Sequence, residues 1–359
     1  MRHTRGQVVD VSSLGDFDRR LAAGATSLSG WRLHEIDLRE RTPSLLDCEV
    51  AGSLFLGCTF AEGEEEDIRA RGGIVFPEIP GVPVDTYRRA LYTPDDLYDA
   101  AAYAATFDAR VYAWSQQPDT RESALARALH DHTLDHILGV FVERHTIVGV
   151  MGGHALPRGS AAYADAAHLG RLLGARHTVA TGGGPGAMEA ANLGARLARY
   201  SPDDLDAALE MLAGVPSFHP DVGAWAAPAC EVVERWPQAT ASLGIPTWHY
   251  GHEPPNPFAT AIAKYFRNAV REAILLEVCD AGIIFLPGAA GTVQEIFQDA
   301  CENFYADESS VAPMVLVGVA HWTQELPAWP LLQALARGRA MEQHVHLVDT
   351  VAEAAALFG

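Results

Sequence analysis

Lysine is almost missing from this chain. Of its 26 basic residues, one is lysine, Lys264, and the rest are arginine. Basic residues of both kinds are outnumbered by 46 acidic ones, for a formal charge of −20. That balance excludes DNA or RNA as a partner, because phosphate polymers are held by basic surface. A small anion is still allowed, since it needs only a local positive patch. No apolar run reaches the roughly 18 residues of a membrane-crossing helix. The first residues, MRHTRGQVVDVSSLGDFDRRLAAG, lack the apolar core of a secretory leader. No CxxC pair occurs among the five cysteines, Cys48, Cys58, Cys230, Cys279 and Cys301. They read as buried thiols of a reducing compartment, which points to the cytoplasm.

What is present is a well-buried globular composition, 48% hydrophobic and 20% charged over 359 residues. That length accommodates two domains, or one large domain with an extension. Residues 1–120 form an accessory region of unknown role. Short alternating patches there (Leu33, Ile36, Leu38, Leu54, Leu56) suggest short strands, and their irregular spacing hints at a coiled β-ladder. The run EGEEEDIRARGG reads as a solvated turn, because like charges repel. A helix ending near Glu143 carries His132 and His136 at the i, i+4 spacing of paired metal ligands. No third ligand follows with recognisable spacing, so a polar helix face is expected and no metal is predicted.

Residues 121–359 alternate between buried-strand runs and helical periods. TIVGVMGG, HTVATGGGPG, AGIIFLPG, PMVLVG and VHLV are strands, separated by amphipathic segments. Strands buried on both faces and joined by helices predict an α/β, Rossmann-like, doubly wound parallel sheet with helices on both faces. The segment PFATAIAKYFRNAVREAILLEV is expected to be one long helix. On it Lys264, Arg267 and Arg271 would share a face, either salt-bridged to solvent or forming a wall for an anion.

Three apolar runs end in glycine: Gly152-Gly153, Gly182-Gly183-Gly184-Pro185-Gly186, and Pro287-Gly288-Ala289-Ala290-Gly291. In an open parallel sheet, ligands sit at the carboxyl ends of the strands. Glycine lets backbone amides approach a ligand, and a following helix N-terminus favours phosphate. Neither longer turn matches the dinucleotide fingerprint, and no Walker lysine follows Gly291, where the residue is Thr292. No cofactor is therefore predicted. Val293, Ile296, Phe297, Ala300, Cys301 and Phe304 form the apolar stripe of the last helix. Thr292 can donate to a phosphate or cap that helix. Glu295 is either a surface acid compensating the helix dipole or a carboxylate aimed into the crevice.

The paired motifs GGGPGAM at 182–188 and PGAAGTVQE at 287–295 resemble those of the LOG-like family, often labelled lysine decarboxylase-like. Its better understood members are nucleoside 5′-monophosphate phosphoribohydrolases. The resemblance covers roughly residues 140–359. It implies Glu295 as the carboxylate at the ribose and glycosidic bond, with Arg271 as the functional arginine and Arg267 as second choice. It further implies that Pro287, Gly288, Ala289, Ala290, Gly291 and Thr292 bind the phosphate. Gly152, Gly153, Gly182, Gly183, Gly184, Gly186, Met188 and Glu189 would complete the substrate site. Ala289 stands where the family has a second glycine, and Gln294 where an acid is often found. The stretch 245–259 and the N-terminal extension suggest a longer branch, whose members act broadly on purine and pyrimidine nucleotides such as AMP. The resemblance also implies a homodimer or larger assembly. Two functions are expected from this reading: hydrolysis to free base and ribose 5-phosphate, or, as the alternative, a non-catalytic nucleotide sensor using the same pocket. The decarboxylase label fits poorly, since that chemistry usually needs a pyridoxal-bearing lysine and Lys264 is the sole candidate.

Overall fold

The computed structural model describes residues 8–249 and 253–359. Part of the N-terminal stretch considered above as a leader, and Tyr250–His252 within 245–259, lie outside the described residues. Two compact units are present: Met1–Arg88 with Asp119–Thr133, and Arg89–Pro118 with Leu134–Gly359. The chain thus passes between units at three points, where sequence alone placed one boundary after residue 120.

The first unit is built on four parallel strands in sequential order: β1 (Val9–Val11), β2 (Trp31–His34), β3 (Leu54–Leu56) and β4 (Ile74–Phe76). Val9 pairs with Trp31, Arg32 with Leu54, and Leu54 with Ile74. Each turn of about twenty residues therefore returns the chain beside its predecessor, the coiled ladder at which the apolar spacing hints. Phe17, Leu33, Phe55 and Ile68 fill its core. One expectation here is corrected. The acidic run is not a turn but contains the helix Glu64–Ala70. Its four acids occupy the first turn, where the helix dipole favours negative charge. Glu65 pairs with Arg69 and Asp67 with Arg71 across single turns.

Seven parallel strands form the sheet of the second unit: β5 (Ile147–Met151), β6 (Thr178–Thr181), β7 (Ser242–Gly244), β8 (Ala261–Ile262), β9 (Ile283–Phe285), β10 (Met314–Val317) and β11 (Val345–Val348). Their order is β11-β10-β9-β5-β6-β7-β8. Helices cover both faces, giving a doubly wound, Rossmann-like α/β fold. The sequence of IVGVM in β5, buried at every position, shows why the alternation of a half-exposed strand is absent. The helices Ala161–Gly174 and Ala187–Arg196 pack backbone to backbone. A Cβ on Gly170 would lie 2.0 Å from the Ala191 carbonyl oxygen, and one on Gly194 1.8 Å from that of Ala167.

Strand order reverses between β5 and β9, which are neighbours through Gly149 and Ile283. The carboxyl ends of strands at such a switch point are the usual ligand position in an open parallel sheet. The long helix expected over 257–278 is instead strand β8, a buried connection, and the shorter helix Asn268–Glu277. Two of the three supposed stripe cations therefore leave the helix. Tertiary partners account for this. Thr260 and Ser242 exchange hydrogen bonds at the β7–β8 edge, and Lys264 is drawn into the interior by Asp108.

Candidate functional site

The three glycine turns meet at the switch point. The amide of Gly153 donates to the Pro287 carbonyl at 3.4 Å, and that of Ala187 to the Gly153 carbonyl at 3.1 Å. Gly186 has φ +73°, and a Cβ there would fall 2.5 Å from the Gly153 carbonyl oxygen. No other residue allows 152–153 and 182–186 to approach this closely. Beside them, a Cβ on Gly288 would lie 2.2 Å from Thr292 Oγ1. Gly288 is thus the residue that lets the turn fold back over the first turn of the next helix.

That helix, Ala290–Tyr305, starts two residues earlier than its motif suggests. Its N-cap, Ala289, makes no side-chain cap bond. Thr292 is the third helical residue and buried, so it does not cap the helix. Ala289, Ala290 and Gly291 are exposed at this helix start. The end carries the partial positive charge of unpaired amides and is exposed.

Carbonyl groups of the second turn are tied from behind. The Asn256 amide nitrogen donates to the Gly184 carbonyl at 3.1 Å, and the Asn256 backbone amide to that of Gly183 at 2.8 Å. Asn192 joins them, accepting from Thr181 and from Asn256. Met188 packs against the same turn, its Sδ 2.8 Å from where a Gly182 Cβ would sit.

Arg271 comes to this turn from the opposite side. Its Nη1 lies 3.5 Å from the position of a Gly182 Cβ. The side chain is buried, its Nη2 donates to Asn268 Oδ1 at 2.8 Å, and its Nε has no hydrogen-bond partner among the described residues. A buried guanidinium with an unmet donor is expensive, and an anionic ligand would satisfy it. Glu295 is half-buried on the first turns of the helix beyond. Burial pushes its carboxyl up to about 7, Glu272 adds repulsion, and Arg271 opposes the rise. Sequence left Glu295 open between surface acid and inward carboxylate; in the structure it is a partly buried, desolvated carboxyl near Arg271 and Glu272.

Gln294 also finds its reason. It donates to Glu272 Oε2 at 2.6 Å, while Asn268 donates to Glu272 Oε1 at 2.6 Å. An acid at 294 would set two carboxylates against each other. Glu272, Asn268 and Asn256 escaped sequence reasoning because their roles lie in contacts between segments. The signal available for Glu272 was its place beside Arg271.

Other expected site residues lie elsewhere. Glu189 is fully buried and held by Arg158, whose Nε donates to Oε1 at 3.0 Å and whose guanidinium stacks on Trp225. Both side chains of this ion pair are buried, and Glu189 lines a small cavity with Pro185 and Gly186. Arg267 is exposed at the residue preceding its helix, not on the helix face. Lys264 is 1% exposed and bonded to Asp108 at 2.5 Å, with Trp248 and Tyr103 also donating to that carboxylate. Cys301 is exposed, whereas Asp299 and Asn303 are buried on that helix. Asp299 is pushed up to about 8, mainly by burial. Among the described residues no group of three or more His, Cys, Asp or Glu side chains is arranged to hold a metal ion. Nor is any described helix long and apolar enough to cross a membrane.

No protein-family model matches the chain, and none of the curated proteins does. Among solved structures, the molybdenum cofactor binding protein of the phototrophic bacterium Rippkaea orientalis is similar at 17% identity and a TM-score of 0.35, over 60% of this chain and 95% of that one. The molybdenum cofactor carrier protein of Chlamydomonas reinhardtii is similar at 18% identity and a TM-score of 0.36, over 60% and 96%. At this level neither bears on what the present chain binds.

Proposed function

We propose that the chain is an enzyme of the LOG-like type that hydrolyses the N-glycosidic bond of a nucleoside 5′-monophosphate, releasing free base and ribose 5-phosphate. The observation that carries this reading is the pair formed by Glu295 and Arg271 at the switch point: a desolvated carboxyl poised about 7, with a buried, incompletely bonded guanidinium beside the glycine turns. Phosphate bound at the Gly288–Thr292 turn and by Arg271 would anchor the sugar through binding energy remote from the reacting bond. N-glycosidic cleavage passes through an oxocarbenium-like ribose, as glycoside cleavage does. Ionised Glu295 stabilises that charge and accepts the proton of the attacking water. The C1′–N bond breaks, the C1′–O bond forms, and the departing base takes up a proton from solvent.

Incubation with AMP, GMP, CMP, UMP and adenosine, followed by chromatography of the free bases, tests the proposal. Base from monophosphates and none from adenosine supports it. So does loss of release in Glu295→Ala. Full release by Glu295→Ala would falsify the assignment of the carboxylate, and nucleotide binding without any release would leave a sensor. The homodimer expected by resemblance is part of this proposal. Light scattering that finds only a 38.6 kDa particle removes it.

A further inference from the structure

The turn that ends β9 has a support no motif records. After β10 the chain passes Gly318, at φ +97°, into the short helix His321–Glu325. This brings His321 against the back of the Pro287–Gly291 turn. Its Nε2 lies 3.0 Å from the Gly288 carbonyl oxygen, and its Nδ1 lies 3.0 Å from Glu325 Oε2. The Trp322 ring meets the imidazole edge-on at 4.5 Å, and the Pro287 ring stands 3.4 Å from the position of a Gly318 Cβ.

A turn that offers amides to an anion must point its carbonyls elsewhere, because each oxygen is itself partly negative. Asn256 performs this task for Gly183 and Gly184. We propose that His321 performs it for Gly288, as a positioning residue that holds the phosphate turn open to the 5′-phosphate, with Glu325 fixing the ring. Both partners of the imidazole are acceptors. This inference rests on the reading of the Gly288–Thr292 turn as a phosphate cradle.

The test is titration of the full chain with inorganic phosphate, alongside base release from AMP. His321→Ala should weaken phosphate binding roughly tenfold, the scale of one lost hydrogen bond. KM for AMP should rise in parallel while kcat stays within about twofold, the pattern of lost uniform binding. His321→Gln keeps an N–H for the carbonyl and should recover most of the affinity. A merely structural role would lower thermal stability without that rescue or that split. Should His321→Ala not fold, Glu325→Ala, at an exposed position, removes only the ring's second anchor and should weaken phosphate binding about twofold to threefold. Unchanged phosphate affinity in both His321→Ala and Glu325→Ala overturns the inference. Failure of the wild type to bind phosphate overturns the cradle itself, a separate and recognisable result.

Discussion

Glu295 should cost the folded chain stability in return for its chemistry, and the cost can be measured. Its carboxyl, ordinarily near 4.5, is pushed up to about 7 chiefly by burial. Between those values the native chain keeps a proton that the unfolded chain has released. Stability therefore declines as pH rises from about 4.5 to about 7 and stays reduced above that window. The displacement is worth at most about 3 kcal/mol. Glu295→Gln preserves the side-chain shape and cannot ionise, so at pH 8 it should be more stable than wild type by up to that amount. In a domain of about 150–250 residues this corresponds to a rise in Tm of up to roughly 6–12 °C. At pH 4.5, where both side chains are largely neutral, the two proteins should melt together. Asp299, pushed up to about 8, adds a pH slope of the same sign in both proteins; one turn away on the same helix, it couples to Glu295, so Asp299→Asn is carried in both backgrounds as the control. Thermal melts of both chains at pH 4.5, 6, 7 and 8 decide the matter, with base release measured on the same samples. A gap already open at pH 4.5, or none at pH 8, refutes the placement of an ionisable, desolvated Glu295.

Arg271→Ala should lower kcat/KM for base release about tenfold to a hundredfold, since a charged hydrogen bond to phosphate is lost; Arg271→Lys should recover little, because a lysine lacks the planar fork. Gly288→Ala places a Cβ 2.2 Å from Thr292 Oγ1. It should abolish phosphate binding at a cost of about 1–3 kcal/mol in stability, read by phosphate titration and thermal melting. Lys264→Met leaves the Asp108 carboxylate buried without its cation and should destabilise by about 3–5 kcal/mol in urea unfolding. A loss below about 1 kcal/mol would show that the pair does not hold its segment in place.

Legibility differed sharply between features. The β5, β6, β9 and β10 strands were readable because each is a short apolar run buried throughout and closed by a turn, and the partly buried β11 because its run is short and apolar. The glycine turns were readable because close backbone approach leaves one residue type possible. By contrast, the connection around β8 was misread. Its alanines and apolar residues suit a helix locally, and only pairing with β7 and the ion pair of Lys264 with Asp108, 156 positions away, make it extended. The acidic run 64–67 was misread for the opposite reason. Self-repulsion was weighed, but the helix dipole and the Arg69 and Arg71 partners one turn on were not.

The sequence by itself determined the class of the fold, the place where backbone amides could converge, and the candidacy of Arg271 and Glu295. The first two follow from periodicity and from glycine, which act over a few residues; the third follows only from the resemblance of the paired motifs to the LOG-like family. Tertiary structure alone decided which charges are buried and what they pair with. It buried Lys264 and Glu189 in ion pairs, desolvated Glu295, left Arg271 Nε unbonded among the described residues and set His321 against Gly288. The electrostatic state of a side chain depends on burial and on partners brought from distant segments, and neither is encoded in its neighbours along the chain.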